Sequence, residues 1–305
     1  MKKLLLILNP RAGKMESKSA LFDIISIFCK YGWLVTTHIT AASGEATQVS
    51  GEAAKSGEYN IIVCCGGDGT LNEVINGVVM SGTQIPIGYI PAGSTNDFAS
   101  STKIPTDLLK AATAIARCEK VTGLDAGLFN GEHFFSYIAS FGAFTATSYS
   151  VPQSMKNTLG HFAYVVAGIK DFLAIKPYKV GVRTNDETFE GEYIFGAVSN
   201  SFSVGGIIKL KNQTVSLNDG VFEVLFIKQP KNPIHIQKIL WGLLNTDFSD
   251  TEVFKFIKTS KILLHMPENV AWTLDGEFAK GSENVVIETL PSAIKLWYDP
   301  EYKSE

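Results

Sequence analysis

Four short apolar runs, Leu4–Leu8, Trp33–Ile39, Ile61–Cys65 and Pro86–Ile90, recur through the first 117 residues, with a helical stretch after each. Residues 17–30 carry Leu21, Ile24, Ile25 and Phe28 at helical spacing, residues 44–56 are rich in alanine, and 71–80 and 106–117 complete the set. Ile61–Cys65 shows no polar alternation, as suits a strand covered on both faces. Repeated strand–helix units of this kind predict an α/β fold with a parallel, right-handed, doubly wound sheet. Ligands of such sheets bind beyond the carboxyl ends of the strands, so the loops there are the first place to look for chemistry.

From about Val121 the rhythm changes. Strand-like runs follow at 133–140, 178–184, 191–199, 221–228, 261–266, 283–289 and 293–298, interrupted by helical stretches at 156–174 and 234–245. A mostly β second domain of sandwich or barrel type is expected. The division is placed at 1–128 and 129–305, with the C-terminal segment free to return to the first domain. With 45% hydrophobic and 19% charged residues a disordered chain is excluded. Lys plus Arg number 27 against 30 Asp plus Glu, so the basic excess of nucleic-acid binders is missing and no nucleic-acid partner is expected. No segment approaches the ~20 apolar residues of a membrane span. The run at Leu4–Leu8 is too short for a signal peptide and is stopped by Asn9-Pro10, so it is read as a buried strand in a cytoplasmic protein. Cys29, Cys64, Cys65 and Cys118 have no zinc spacing, and the adjacent pair is expected in the core.

The sharpest local feature is Gly66-Gly67-Asp68-Gly69-Thr70-Leu71-Asn72-Glu73, between an apolar strand and a helix. Its glycines let backbone amides approach a ligand closely. Thr70 and Glu73 have capping-box spacing, which puts a helix start, and hence an anion site, at this loop. Asn9-Pro10-Arg11-Ala12-Gly13-Lys14 follows the first strand and offers small residues and two cations. Pro91-Ala92-Gly93-Ser94-Thr95-Asn96-Asp97-Phe98-Ala99 follows the fourth and offers hydroxyls and a carboxylate. Singly, each of the last two could be an ordinary turn, with Ser94 or Asp97 as a helix cap. Three such loops at one sheet edge predict a cleft for a nucleotide polyphosphate. The five histidines show no metal-ligand spacing, and no serine sits in GxSxG. Helix 234–245 is read as core-facing, with membrane contact as the alternative.

At these residues the chain resembles the diacylglycerol kinase catalytic domain family, which includes bacterial soluble diacylglycerol kinases and, more distantly, sphingosine and ceramide kinases. The resemblance rests on NPRAG at 9–13, GGDGTLNE at 66–73 and GSTNDFA at 93–99. It continues through Leu124-Asp125-Ala126-Gly127, Lys156 to Gly168, Gly205-Gly206, Leu217-Asn218-Asp219-Gly220 and Asp275-Gly276-Glu277. Gln213-Thr214-Val215 departs from the family's Pro-x-Ala. GGDGT alone is shared with NAD kinases; the combination is more specific.

The resemblance implies an NAD-kinase-like first domain, a β-sandwich second domain and an ATP- and Mg²⁺-dependent lipid kinase, with diacylglycerol as substrate and phosphatidic acid as product. NAD kinase, another small-molecule kinase or a catalytically silent nucleotide- or lipid-binding regulator are the alternatives. It implies that Asn9, Pro10, Arg11, Ala12, Gly13, Thr40, Gly66, Gly67, Asp68, Gly69, Thr70, Leu71, Asn72 and Ser94 hold ATP. Asp275 is expected to face the cleft as the base, with Glu277 holding metal or phosphates. Asp68, Asp97 and Asp125 are expected to form a carboxylate network around catalytic Mg²⁺. A structural Mg²⁺ is implied at the Asp219 carboxylate and the Ser216 and Val221 carbonyls, where the residues alone also allow a plain Asn-Asp-Gly turn. A lipid drawn from the membrane surface, peripheral membrane contact and a homodimer complete the implied partners.

Overall fold

The computed structural model describes residues 1–13, 16–143, 176–200, 203–204, 208–209, 216–267 and 270–298. The first half alternates β1 (Lys2–Leu8), α1 (Glu16–Lys30), β2 (Trp33–Ile39), α2 (Glu45–Ser56), β3 (Ile61–Gly66), α3 (Asp68–Met80), β4 (Ile87–Pro91), α4 (Asp97–Thr102) and α5 (Leu108–Arg117). Its strands pair in parallel in the order β2-β1-β3-β4. Every residue of β3 is buried, and full burial of side chains such as Ile61, Ile62 and Val63 stabilises by ~1.5–3 kcal/mol each. Cys64 and Cys65 share that burial, which pushes the Cys65 thiol up to about 12 and the Cys64 thiol well above its ordinary value.

The second half comprises β5 (Val121–Phe129), β6 (His133–Phe135), β7 (Ile138–Gly142), β8 (Tyr178–Thr184), β9 (Thr188–Ser199), β10 (Ser203–Val204), β11 (Ile208–Lys209), β12 (Phe222–Lys228), α6 (Pro233–Asn245), β13 (Phe254–Thr259), β14 (Lys261–His265), β15 (Ala271–Leu274), β16 (Glu277–Lys280) and β17 (Asn284–Trp297). Their mutual pairings are antiparallel. The fold is thus an α/β domain with a parallel sheet followed by a β-sandwich-like domain. Phe129, Phe141, Phe226 and Trp272 fill the core between the antiparallel strands. A second cluster on the other face of β7, β9 and β12 includes Ile138, Ile194, Ile227 and Ile239 of α6.

One fifteen-stranded sheet runs through both halves, because β17 joins them. Leu296 pairs in parallel with Ile87 of β4, and the strand pairs antiparallel with β5 from Val121 to Phe129. The Trp297 and Trp33 indoles donate to the Ile115 and Ala116 carbonyls at 3.1 and 3.2 Å. They bond carbonyls in the last turn of α5, where the Ile115 carbonyl also accepts from the Cys118 amide.

Two strand expectations need correction. The run 133–140 is split into β6 and β7, and the runs 283–289 and 293–298 are one strand whose register shifts between Leu290 and Ile294. At both breaks a backbone amide turns to a buried aspartate, Ser136 to Asp275 and Ser292 to Asp125. Helix α6 buries Ile236, Ile239 and Gly242, as a core-facing helix should, and exposes Ile234, Trp241 and Leu244. Among the described residues no helix is long and apolar enough to cross a membrane. The expected helix at 156–174, the motif matches at Lys156–Gly168, Gly205-Gly206 and Gln213–Val215, and Lys14 lie outside the described residues.

Candidate active site

The loops after β1, β2, β3 and β4 converge on a cleft of about 320 Å³, which Glu277 closes from the antiparallel half. Hydrogen bonds lock these loops together. Asn9 Nδ2 donates to Thr70 Oγ1 at 2.9 Å, Asn9 Oδ1 accepts from the Arg11 amide at 2.9 Å, and the Ala92 amide donates to Gly66 O at 2.8 Å. Two glycines are needed for this approach. Gly13 has φ +53°, and a β-carbon there would stand 2.3 Å from Ala92 O. A β-carbon on Gly93 would stand 2.7 Å from Gly67 Cα. Thr40 is held at the same edge by its amide's bond to Leu8 O at 2.9 Å.

Helix α3 begins after Gly67, which contributes no capping side chain, and Leu71 is bonded back to Gly67 O at 3.0 Å. An uncapped helix start beside small residues suits an anion. The expected capping box is not there. Glu73 reaches across to α2, accepting from the Gly44 and Ala46 amides at 2.9 and 3.2 Å. Glu45 in turn accepts from the Ala41 and Ala42 amides and pairs with His38 Nε2 at 2.8 Å. These bonds, the Ala41 amide first, hold the Glu45 carboxyl below its usual range. Two glutamates therefore shape the Thr40–Gly44 loop. For Glu45 the sequence signal was only an acid in the first turn of a helix; for Glu73 it was a spacing that named the wrong partner.

The acids fall into two groups. Asp68 and Asp97 come together where α3 and α4 begin. Asp68 accepts from the Asp97 and Phe98 amides at 3.1 and 3.3 Å, so Asp68 caps α4, and neither Ser94 nor Asp97 does. Burial raises the Asp68 carboxyl against the pull of those amides. Burial, then the charge of Asp68, pushes Asp97 up to about 6.

Asp125 does not join them. It is 1% exposed, and its two oxygens accept from the Ser292 and Gly220 amides, each at 2.7 Å. Among the described residues no group of three or more His, Cys, Asp or Glu side chains could hold a metal ion, so the expected three-aspartate network is not formed.

Nor does Asp275 face the cleft. It is 4% exposed, with φ +50° at the β15–β16 turn. Its Oδ2 accepts from Asn72 Nδ2 (2.7 Å), the Ser136 amide (2.6 Å) and Ser136 Oγ (2.8 Å), and its Oδ1 from the Tyr137 and Ile138 amides (3.0 and 2.9 Å). Burial raises its carboxyl, and those amides oppose the rise. The neighbour two residues on, Glu277, is exposed, and its Oε1 lies 3.5 Å from where a side chain on Gly69 would begin.

Of the residues expected to hold nucleotide, Asn9, Arg11, Ala12, Gly13, Thr40, Gly67, Gly69 and Thr70 line the cleft. Leu71 instead is core, 1% exposed, and Asn72 turns its side chain to Asp275. Ser94 is exposed on a loop shaped by Asn96, whose side chain bonds both the amide and the carbonyl of Gly93. At the Asp-Gly loop, Gly220 has φ +78° and Asp219 Oδ1 accepts from the Val221 amide at 3.3 Å. Ser216 Oγ donates to Asn218 Oδ1 at 3.1 Å.

Comparison with known proteins bears on this geometry. The profile of the diacylglycerol kinase catalytic domain matches residues 3–127, and that of the YegS C-terminal NAD kinase beta sandwich-like domain matches residues 139–298. A diacylglycerol kinase of Bacillus subtilis (strain 168) is 33% identical over 279 residues, covering 91% of this chain and 90% of its own. One from Staphylococcus saprophyticus is 33% identical over 226 residues, covering 73% of this chain and 72% of its own. The crystal structure of a diacylglycerol kinase from Bacillus anthracis str. Sterne shares the fold, with a TM-score of 0.77, 23% identity and coverage of 98% and 97% of the two chains.

Proposed function

The chain belongs to the diacylglycerol kinase catalytic domain family, and from that premise we propose that it phosphorylates the free hydroxyl of diacylglycerol at a membrane surface, giving phosphatidic acid. As a member of the family it is a lipid kinase and uses ATP. Phosphoryl transfer asks for in-line positioning, stabilisation of charge and a group to receive the hydroxyl proton. The loops at Asn9–Gly13, Thr40 and Gly66–Thr70 would hold the nucleotide, with its phosphates at the uncapped start of α3.

The observation that carries this reading is the position of Glu277, an exposed carboxylate beside Gly69 at that helix start. In this reading Glu277, not Asp275, takes the proton from the lipid hydroxyl. A base needs access to its substrate, and Asp275 is closed off by five donors. Asp68 and Asp97 suit Mg²⁺: they are two neighbouring carboxylates, both raised by burial, and Mg²⁺ takes one or two carboxylates together with phosphate oxygens and water. When bound, Mg²⁺ supplies positive charge to the β- and γ-phosphates. Ser216, Asp219 and Val221 would offer a second ion one carboxylate and backbone oxygens, a donor set of the right hardness.

The test is formation of phosphatidic acid from ATP and diacylglycerol in vesicles, with sphingosine and NAD as comparison substrates. Glu277→Gln should lower kcat ~10²–10⁴-fold, the usual range for loss of a general base, with little change in ATP affinity. Preference for NAD would replace the lipid assignment, and a Glu277→Gln enzyme at wild-type rate would remove the base.

A further inference from the structure

Asp275 is buried, accepts five hydrogen bonds and stands two residues before Glu277. Four of those bonds come from the β6–β7 break, within the antiparallel half. The fifth comes from Asn72, on the second turn of the helix whose start faces the cleft. This bond spans 203 residues of sequence and ties the nucleotide helix to the turn that carries Glu277.

The amide of Asn72 is itself oriented. Asn76, one turn further along α3, donates its Nδ2 to Asn72 Oδ1 and, at 2.8 Å, to Asn72 O. With Oδ1 occupied as an acceptor, the NH₂ group is the end left to face Asp275. A carboxylate can only accept, so the match is chemically one-way. The Asp275 amide meanwhile donates to Ile138 O at 2.9 Å, fixing the turn's backbone as well as its side chain.

We propose that Asn72 is a positioning residue: through Asp275 it sets where Glu277 stands over the start of α3. The inference rests on the reading of Glu277 as base. Asn72 touches neither nucleotide nor lipid in this account. Its amide is the link by which α3 fixes the distance from Glu277 to phosphates held at the start of that helix. A misplacement of about 1 Å at a reacting centre can cost ~10²-fold in rate, so one bond at a joint is enough to matter.

A double-mutant cycle between Asn72→Ala and Glu277→Gln tests this, since coupling appears only where two residues act on one another. Asn72→Ala in the wild-type background should lower kcat ~10–100-fold with KM for ATP within about twofold. In the Glu277→Gln background the same substitution should cost less than about twofold, because there is no base left to misplace. Asn76→Leu, which frees the Asn72 amide to rotate without removing it, should show a smaller loss with the same dependence on Glu277, and it serves if Asn72→Ala does not fold. Equal costs in the two backgrounds would overturn the joint while leaving Glu277 as base. A Glu277→Gln enzyme at wild-type rate would overturn both.

Discussion

In the parallel half, Asp68 and Asp97 stand half-buried at the mouths of loops, with burial raising both carboxyls. In the antiparallel half, Asp125 and Asp275 are 1% and 4% exposed, and backbone amides surround them. All four lie in stretches that resemble one family's motifs, yet their surroundings give them different work. A carboxylate enclosed by amides is a construction element: it bends strands and pins turns. A carboxylate left partly exposed, as Asp68 and Asp97 are, is open to a cation or a proton. Motif membership thus does not separate these aspartates; access and hydrogen-bond saturation do.

Asp68→Ala should give the largest effect. Loss of ~10³-fold in rate is expected for a charge-organising group in a phosphate site. Because Asp68 also caps α4, stability should fall too, by ~1 kcal/mol or ~2–4 °C in melting temperature for a domain of this size. Turnover measured beside thermal melting checks both, and a near-normal rate would break the division between the halves on its catalytic side.

Asp125→Asn should act mainly on stability. Asparagine keeps one acceptor where two amides now bond at 2.7 Å, and the displaced amide faces a donor. A loss of ~2–3 kcal/mol is expected, hence a melting temperature lower by roughly 4–12 °C. A rate loss rescued by added Mg²⁺, with melting unchanged, would instead return Asp125 to the metal.

Asp97→Asn sharpens the comparison through pH. The carboxyl of Asp97 in the fold, at about 6, lies above its unfolded value of ~3.9. The folded protein therefore holds that proton more tightly, and stability falls as pH rises from the unfolded value through about 6. Without Mg²⁺ or nucleotide, wild-type melting should decline between pH 5 and 7.5 more than that of Asp97→Asn. Parallel curves would mean that Asp97 is not strained by burial and by Asp68.

How much of this the sequence displays depends on how far apart the partners are. Strand β3 and the glycine loop are legible because the apolar run and Gly66-Gly67 act locally. The break at Ser136 is not, because its acceptor lies 139 residues away; the shift before Ile294 answers to Asp125, 167 residues from Ser292. The Thr70–Glu73 spacing puts the helix start at Thr70, whereas α3 begins three residues earlier, after Gly67; nor can it show that two amides at the start of α2 lie within reach and take Glu73 away. Within Asp275-Gly276-Glu277 both acids look equivalent as letters. Only the turn, with Asp275 at φ +50°, decides which points inward.

The proposed function stands on Glu277 acting in the cleft and Asp275 supporting it from within. It is tested most directly by measuring kcat and melting temperature together for Glu277→Gln and Asp275→Asn. Glu277→Gln should lose ~10²-fold or more in kcat at nearly unchanged melting temperature. Asp275→Asn should lose at least ~3 kcal/mol, and so melt roughly 6–12 °C lower. A Glu277→Gln enzyme that turns over normally, beside an Asp275→Asn enzyme that melts like wild type and is inactive, would contradict it.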